Sequence, residues 1–175
     1  MSKLGLLVLR QKGIPLLDKV KNRIATIESL SIKGVFGIKW EKEEAFFKIK
    51  DVYGHIKDTK ILEDITNNQG NNMIAIVLID SMPDPLKMSC PRCGHRFTGE
   101  RLDNMHVNRI KDDFRSIYGN IIHSADTEQT AIDEMKKFGI GSKLINKFKD
   151  IEGCIVGNIE NDNMLIKKMK ESVNG

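Results

Sequence analysis

Leu4–Arg10 is a continuous apolar run closed by a basic residue, the pattern of a buried strand. Gly13-Ile14-Pro15 punctuates the chain after it, with Pro15 suited to a helix start. From Leu16 to Ile27, the residues Leu17, Val20, Ile24 and Ile27 recur at three- and four-residue spacing, which predicts an amphipathic helix. Leu30–Trp40, rich in branched and aromatic residues, predicts a long strand. Glu41–Val52 and Asp58–Ile65 read as two helices joined around Tyr53-Gly54-His55. Asn67–Asn72 is a polar loop and Met73–Ile79 a second buried strand.

Residues 81–107 break this rhythm, with three of the four prolines and a C-x-x-C pair crowded near their start. Helical spacing returns over Val107–Tyr118, followed by a short strand, Asn120–His123. Asp126 is placed as an N-cap, with Gln129 completing a capping box. Ala131, Met135 and Phe138 form the inner stripe of that helix and Gly139 ends it. Beyond it, Ser142–Asp150 reads as a helix, Cys154–Val156 as a short strand, and a last helix starts near Glu160. Gly139-Ile140-Gly141-Ser142-Lys143 lacks the spacing of a phosphate loop and reads as a helix stop followed by a helix start.

The resulting order predicts an α+β fold: a ferredoxin-like antiparallel sheet built on a split β-α-β unit, backed by helices on one face. A helical pair is inserted, a zinc-knuckle-like loop occupies about residues 86–104, and residues 139–175 form a C-terminal extension to a domain of residues 1–138.

Composition narrows the function without choosing it. The 175 residues are 40% hydrophobic and 30% charged, ordinary for a folded domain. The Leu4–Leu9 run is far shorter than a membrane span and has no signal-peptide cleavage site after it, so the expectation is a cytoplasmic protein without a membrane partner. Net charge is +4, yet the 28 basic and 24 acidic residues are interspersed, which argues against a nucleic-acid surface. Lys167-Lys168-Met169-Lys170, the densest basic piece, reads as a solvated helix face. Three cysteines imply no disulfide framework, and Cys90 and Cys93 point instead to metal or redox chemistry.

The stretch N-I-I-H-S-A-D-T-E-Q-T-A-I-D-E, residues 120–134, holds the strongest chemical signal. His123 ends a strand just before a helix N-terminus, whose field disfavours imidazolium and favours phosphate. A neutral imidazole is the nucleophilic form, so the placement suits phosphoryl transfer through phosphohistidine. Glu134 would hold one ring nitrogen while the other attacks, and Asn120 would reach a sugar hydroxyl. The requirement is a ring facing a phosphate-sized hollow with Glu134 in reach. A satisfied strand-end histidine is the plainer alternative, and a metal ligand a third.

The same stretch resembles the active-site signature of the nucleoside diphosphate kinases, Asn-x-x-His-Gly-Ser-Asp-Ser followed by Ala and Glu. Asn120, His123, Asp126, Ala131 and Glu134 fall in register, with Thr127 at the second serine. Tyr53-Gly-His-Ile-Lys57-Asp58 is similar to the family's turn between its nucleotide-binding helices. Ile110-Lys111-Asp112-Asp113-Phe114 is similar to its Ile-Arg-x-Asp-Phe segment. The resemblance implies that His123 is phosphorylated, Glu134 orients it, Tyr53 sits beside it, Asn120 holds the ribose 3′-hydroxyl and Lys111 replaces a phosphate-binding arginine. It implies nucleoside di- and triphosphates as substrates, Mg²⁺ travelling with the nucleotide, and a homo-oligomer.

Departures cluster in the substrate cradle. The family's Lys-Pro-Asp loop is replaced by Arg10-Gln11-Lys12, so Arg10 or Lys12 is the expected source of charge. Thr59, Ile61 and Ala125 stand where the family has an arginine, a stacking phenylalanine and a serine. Cys90-Pro-Arg-Cys93-Gly94-His95 is half of a zinc knuckle, with His95 and His106 as the nearest further ligands and Cys154 a more distant one. That knuckle would brace Arg92, Arg96, Thr98 and Arg101 at the phosphate pocket. The leading expectation is a divergent phosphotransferase acting between nucleotides. A non-catalytic nucleotide-binding or scaffold protein, and a zinc-containing nucleic-acid-binding protein, are the alternatives.

Overall fold

A computed structural model describes residues 2–39, 51, 58, 60–61, 72–84 and 104–140. Strand β1, Lys3–Leu9, leads through a 3₁₀ turn, Gln11–Leu16, into helix α1, Leu17–Ala25. Strands β2, Leu30–Lys39, and β3, Asn72–Asp80, follow. Helix α2, Met105–Tyr118, strand β4, Ile122–Ser124, and helix α3, Glu128–Lys137, complete the described elements. The sheet order is β2-β3-β1-β4, with every neighbouring pair antiparallel. This is the ferredoxin-like arrangement expected from the element order.

Helices cover both faces of the sheet, not one. Leu4, Leu6, Val8, Phe36, Met73, Ala75 and Val77 pack under Ala131, Met135 and Phe138 of α3 and the following Ile140. Leu7, Leu9, Val35, Ile74, Ile76 and Leu78 pack on Leu17, Val20 and Ile24 of α1 and Val107, Ile110 and Phe114 of α2. The unbroken apolar runs of β1 and β3 are the cause, because a strand buried on both sides has no polar face to alternate.

Local boundaries shift for identifiable reasons. Pro15 lies inside the 3₁₀ turn, and the α-helix starts at Leu17. Helix α2 begins two residues earlier than its apolar stripe, because Asn104 caps it by accepting from the His106 N–H at 3.0 Å. Gly119, at φ 80°, and an Ile121 N–H to Gly119 carbonyl bond occupy the start of the expected Asn120–His123 strand, so pairing begins at Ile122. The cap of α3 is Thr127, whose hydroxyl accepts from the Thr130 N–H at 3.0 Å. Gln129 donates to Asp133 one turn along instead of closing a box with Asp126. Gly139 ends the helix as expected, with φ 81°. Most of the paired helices expected between 41 and 65, the knuckle and everything after Ile140 lie outside the described residues.

One close approach sets the geometry of the site. The Arg10 N–H donates to the Ile121 carbonyl at 2.9 Å, and the Gly13 N–H donates back to the Arg10 carbonyl at 2.7 Å. Gly13 is buried against Ile121, and a Cβ there would stand 2.6 Å from the Ile121 carbonyl oxygen. Backbone cannot give way as a flexible side chain can. Gly13→Ala is therefore expected to cost about 1–3 kcal/mol of folding stability, measured by denaturant unfolding. Wild-type stability would show that the turn can move away from Ile121.

Candidate active site

Among the described residues, strand β4 is an edge strand paired to β1, with Val8 opposite His123. Ile122 packs into the core shared with α1 and α2, so its neighbour His123 points to the other face, under α3. There Glu134, in the second turn of α3, places both carboxylate oxygens 2.9 Å from His123 Nε2. Both groups are deeply set, with side-chain exposures of 13% for His123 and 6% for Glu134. The imidazole expected to face a phosphate-sized hollow is thus largely covered.

Burial, the largest influence, pushes the His123 pKa below its ordinary 6.5. The charge and hydrogen bond of Glu134 oppose that fall, and the nearby cations Arg10 and then Arg115 reinforce it. The ring is therefore neutral at pH 7. Facing a carboxylate that accepts at both oxygens, the ring places its proton on Nε2 and its lone pair on Nδ1. Nδ1 is the nitrogen with nucleophilic character. The helix dipole invoked from the sequence is secondary to desolvation, since α3 begins five residues beyond His123.

Arg10, at the end of β1, is almost completely buried. Its guanidinium donates to the Asn120 carbonyl at 2.9 Å and also to the Asn120 side-chain oxygen. Arg10 with Asn120 and His123 with Glu134 form two directly bonded pairs, which the β1–β4 pairing and the Arg10 N–H to Ile121 carbonyl bond draw into one neighbourhood. Lys12 is exposed on the 3₁₀ turn, and Lys111 is buried on the inner side of α2. Tyr53, Arg96, Arg101, Cys90, Cys93 and His95 lie outside the described residues.

Arg115 was not singled out from the sequence. It sits one turn after Lys111 on α2, and its Nε donates to the Ile122 carbonyl at 2.7 Å, one peptide unit from His123. Asn108, Lys111 and Arg115 follow helical spacing, and Ser124 of β4 meets Asn108 at 3.4 Å. That polar stripe facing β4 was the available signal.

His106, expected as a metal ligand, instead turns its Nδ1 to Asp80 Oδ2 at 2.6 Å. Asp80 is fully covered and also accepts from Asn104 Nδ2 at 2.8 Å and the Met82 N–H at 2.9 Å. Burial alone would push the Asp80 carboxyl up, but bonds from Ser29, His106, Met82 and Asn104 outweigh it and hold the pKa below 3.8. Among the described residues, no group of three or more His, Cys, Asp or Glu side chains is arranged to hold a metal. No helix among them is long and apolar enough to cross a membrane.

No family model matches this chain, and no curated protein does. Solved structures similar to it are nucleoside diphosphate kinases. The enzyme of Aquifex aeolicus has 14% identity and a TM-score of 0.49, over 78% of this chain and 94% of its own. That of Encephalitozoon cuniculi has 14% identity and a TM-score of 0.48, over 85% of this chain and 97% of its own. That of Borrelia burgdorferi, solved with bound vanadate and ADP, has 12% identity and a TM-score of 0.48, over 85% of this chain and 94% of its own.

Proposed function

We propose that this protein is a nucleotide phosphotransferase that carries the terminal phosphate of a nucleoside triphosphate on His123 and passes it to a nucleoside diphosphate. The observation that carries this reading is the Glu134 carboxylate at 2.9 Å from Nε2 of a buried, neutral imidazole. The match of residues 120–134 to the nucleoside diphosphate kinase signature supports it independently.

In the forward half-reaction, the Nδ1 lone pair attacks the γ-phosphorus and the bond to the bridging oxygen breaks, releasing the nucleoside diphosphate. Glu134 keeps the Nε2 proton in place and stabilises the positive charge that develops on the ring. The second half-reaction reverses these steps with a different diphosphate. Mg²⁺ arrives on the nucleotide phosphates as part of the substrate. Arg10 holds the Asn120 side-chain oxygen, which fixes the side chain proposed to meet a ribose hydroxyl.

Incubation with γ-labelled ATP or GTP is expected to give an acid-labile, base-stable label on the protein, absent in His123→Ala. Failure of the folded, unmodified chain to take label would reject catalysis. The deep setting of His123 favours one other reading, a nucleotide-binding protein without turnover. That reading predicts thermal stabilisation by nucleotide with no phosphoenzyme.

A further inference from the structure

We propose that His106 is a second reactive imidazole of this protein, accepting a phosphoryl group at Nε2 while the buried Asp80 carboxylate holds Nδ1. Neither its geometry nor its chemistry depends on the His123 site. Asp80 pairs with Lys3 and His123 with Val8, five residues apart along β1. At about 3.4 Å per residue that is roughly 17 Å, too far for the two rings to share one phosphate.

The carboxylate comes first. Asp80 is fully covered, with Asn104 Nδ2 at 2.8 Å and His106 Nδ1 at 2.6 Å on Oδ2. The Met82 N–H meets its Oδ1 at 2.9 Å. Burial pushes this acid up, but bonds from Ser29, His106, Met82 and Asn104 hold it below 3.8, so it is ionised at neutral pH. An ionised carboxylate only accepts, so Nδ1 carries the ring proton and the lone pair stands on Nε2. Among the described residues, Nε2 has no hydrogen-bond partner. The imidazole is 23% exposed, so solvent reaches a ring whose tautomer is set from beneath. Its backbone is fixed too, through the N–H donated to Asn104 Oδ1 at 3.0 Å.

A neutral imidazole with a fixed tautomer and an open lone pair is a nucleophile. Attack by Nε2 leaves the ring a cation, and its Nδ1–H stays on Asp80, which stabilises the charge. An acyl group on such a cation is lost readily to water, whereas a phosphoryl group sets its own negative charge against the ring. Arg109, three residues on along α2, lies beside the ring on that helix. It is engaged with Asp84 at 3.1 Å, both exposed, a weak ion pair that a phosphoryl dianion can compete for. With phosphoramidate as donor, the Nε2 lone pair forms the new N–P bond. The donor P–N bond breaks, and ammonia leaves with that electron pair.

The experiment treats the full chain carrying His123→Ala with phosphoramidate at neutral pH. Phosphohistidines are located by mass spectrometry and their nitrogen is assigned by ³¹P NMR. His106 is expected to be modified at Nε2 about 10-fold faster, or more, in the folded chain than in the same chain in urea. Asp80→Asn turns an amide N–H toward Nδ1 and moves the ring proton to Nε2. Its rate at His106 should fall about 10²-fold or more. The ¹⁵N shifts of the His106 ring report the tautomer directly and carry the test if the asparagine variant does not fold.

A ring protonated on Nε2 in the parent chain would overturn the proposal. So would a His106 no faster when folded than in urea, or a folded Asp80→Asn variant reacting at the parent rate. Acylation by diethyl pyrocarbonate without any phosphorylation would equally reject it, because the ring would be reactive but no phosphoryl acceptor. Phosphorylation at His106 Nε2, alongside an unmodified protein whose His123 takes no γ-label, would uphold this inference while rejecting the phosphotransferase reading.

Discussion

Replacing Glu134 with glutamine will slow phosphorylation of His123 by about 10²- to 10⁴-fold, the scale for a carboxylate that orients a reacting imidazole. The side chains are nearly the same size, so α3 keeps its packing through Ala131, Met135 and Phe138. Its chemistry changes at one point: a carboxylate only accepts, whereas an amide can present either an oxygen or an N–H to Nε2. When the N–H faces the ring, the lone pair moves to Nε2 and Nδ1 loses its nucleophilic character.

The pH dependence separates this role from simple packing. Glu134 raises a ring pKa that burial lowers below 6.5, so its neutralisation lowers that pKa further. For a histidine buried neutral, the unfolded chain takes up the proton first. The stability contributed by the neutral ring is complete above pH 6.5 and is lost as pH falls toward the depressed folded pKa. In Glu134→Gln that loss extends to lower pH, and ring NMR should show the lower midpoint directly. A glutamine variant labelled at the wild-type rate, with an unmoved midpoint, would remove Glu134 from the mechanism.

The pair at the centre of the site was legible because both partners lie on regular elements. A histidine on a short strand and a glutamate in the second turn of the next helix are eleven residues apart, and the inward stripe of Ala131, Met135 and Phe138 fixed which way that helix faced. Arg10 was equally accessible as the last residue of an apolar run. Other parts depend on contacts that no local pattern contains. Arg115 lies on a polar stripe that the sequence shows, but its partner is set only where β4 brings the Ile122 carbonyl beside it. The capping residue of α3 is decided by which of two adjacent side chains reaches the helix amides, and Asp126 and Thr127 are both competent by type. His106 was assigned by its nearness in sequence to a cysteine pair, whereas its observed partner, Asp80, is 26 residues away at the end of a strand.

That Asp80 contact lies at the start of the helix whose later turns approach β4. Helix α2 starts at the Asp80 cluster and, about 1.5 Å per residue further on, brings Lys111 and Arg115 toward β4. Its first turn is held by Asn104, which caps the helix with its oxygen and donates its amide to Asp80. The Met105 N–H bonds to the Asp84 carbonyl at 2.8 Å, and Arg109 reaches the Asp84 carboxylate at 3.1 Å. Asp80 is the fully buried member of this set, so the register of α2 on the sheet depends on it most.

Asp80→Ala is accordingly expected to cost about 3–5 kcal/mol of folding stability, the scale for removing one partner of a buried charged cluster. The substitution leaves the Asn104 amide, the Met82 N–H and the His106 ring facing a site with no acceptor. Asp80→Asn should be milder, about 1–3 kcal/mol. Its oxygen still accepts from Met82, and His106 can change tautomer to accept from the new amide. Asn104 has no such freedom, because its oxygen is committed to the helix cap. Acid should reproduce the effect in the wild type. A carboxylate held below 3.8 contributes stability that is present above that pH and lost as pH falls through the depressed folded value. Urea unfolding of the two variants, with the wild type measured across pH 2–7, checks the order. Alanine costing less than asparagine, or either costing nothing, would mean that α2 is seated by its apolar contacts alone.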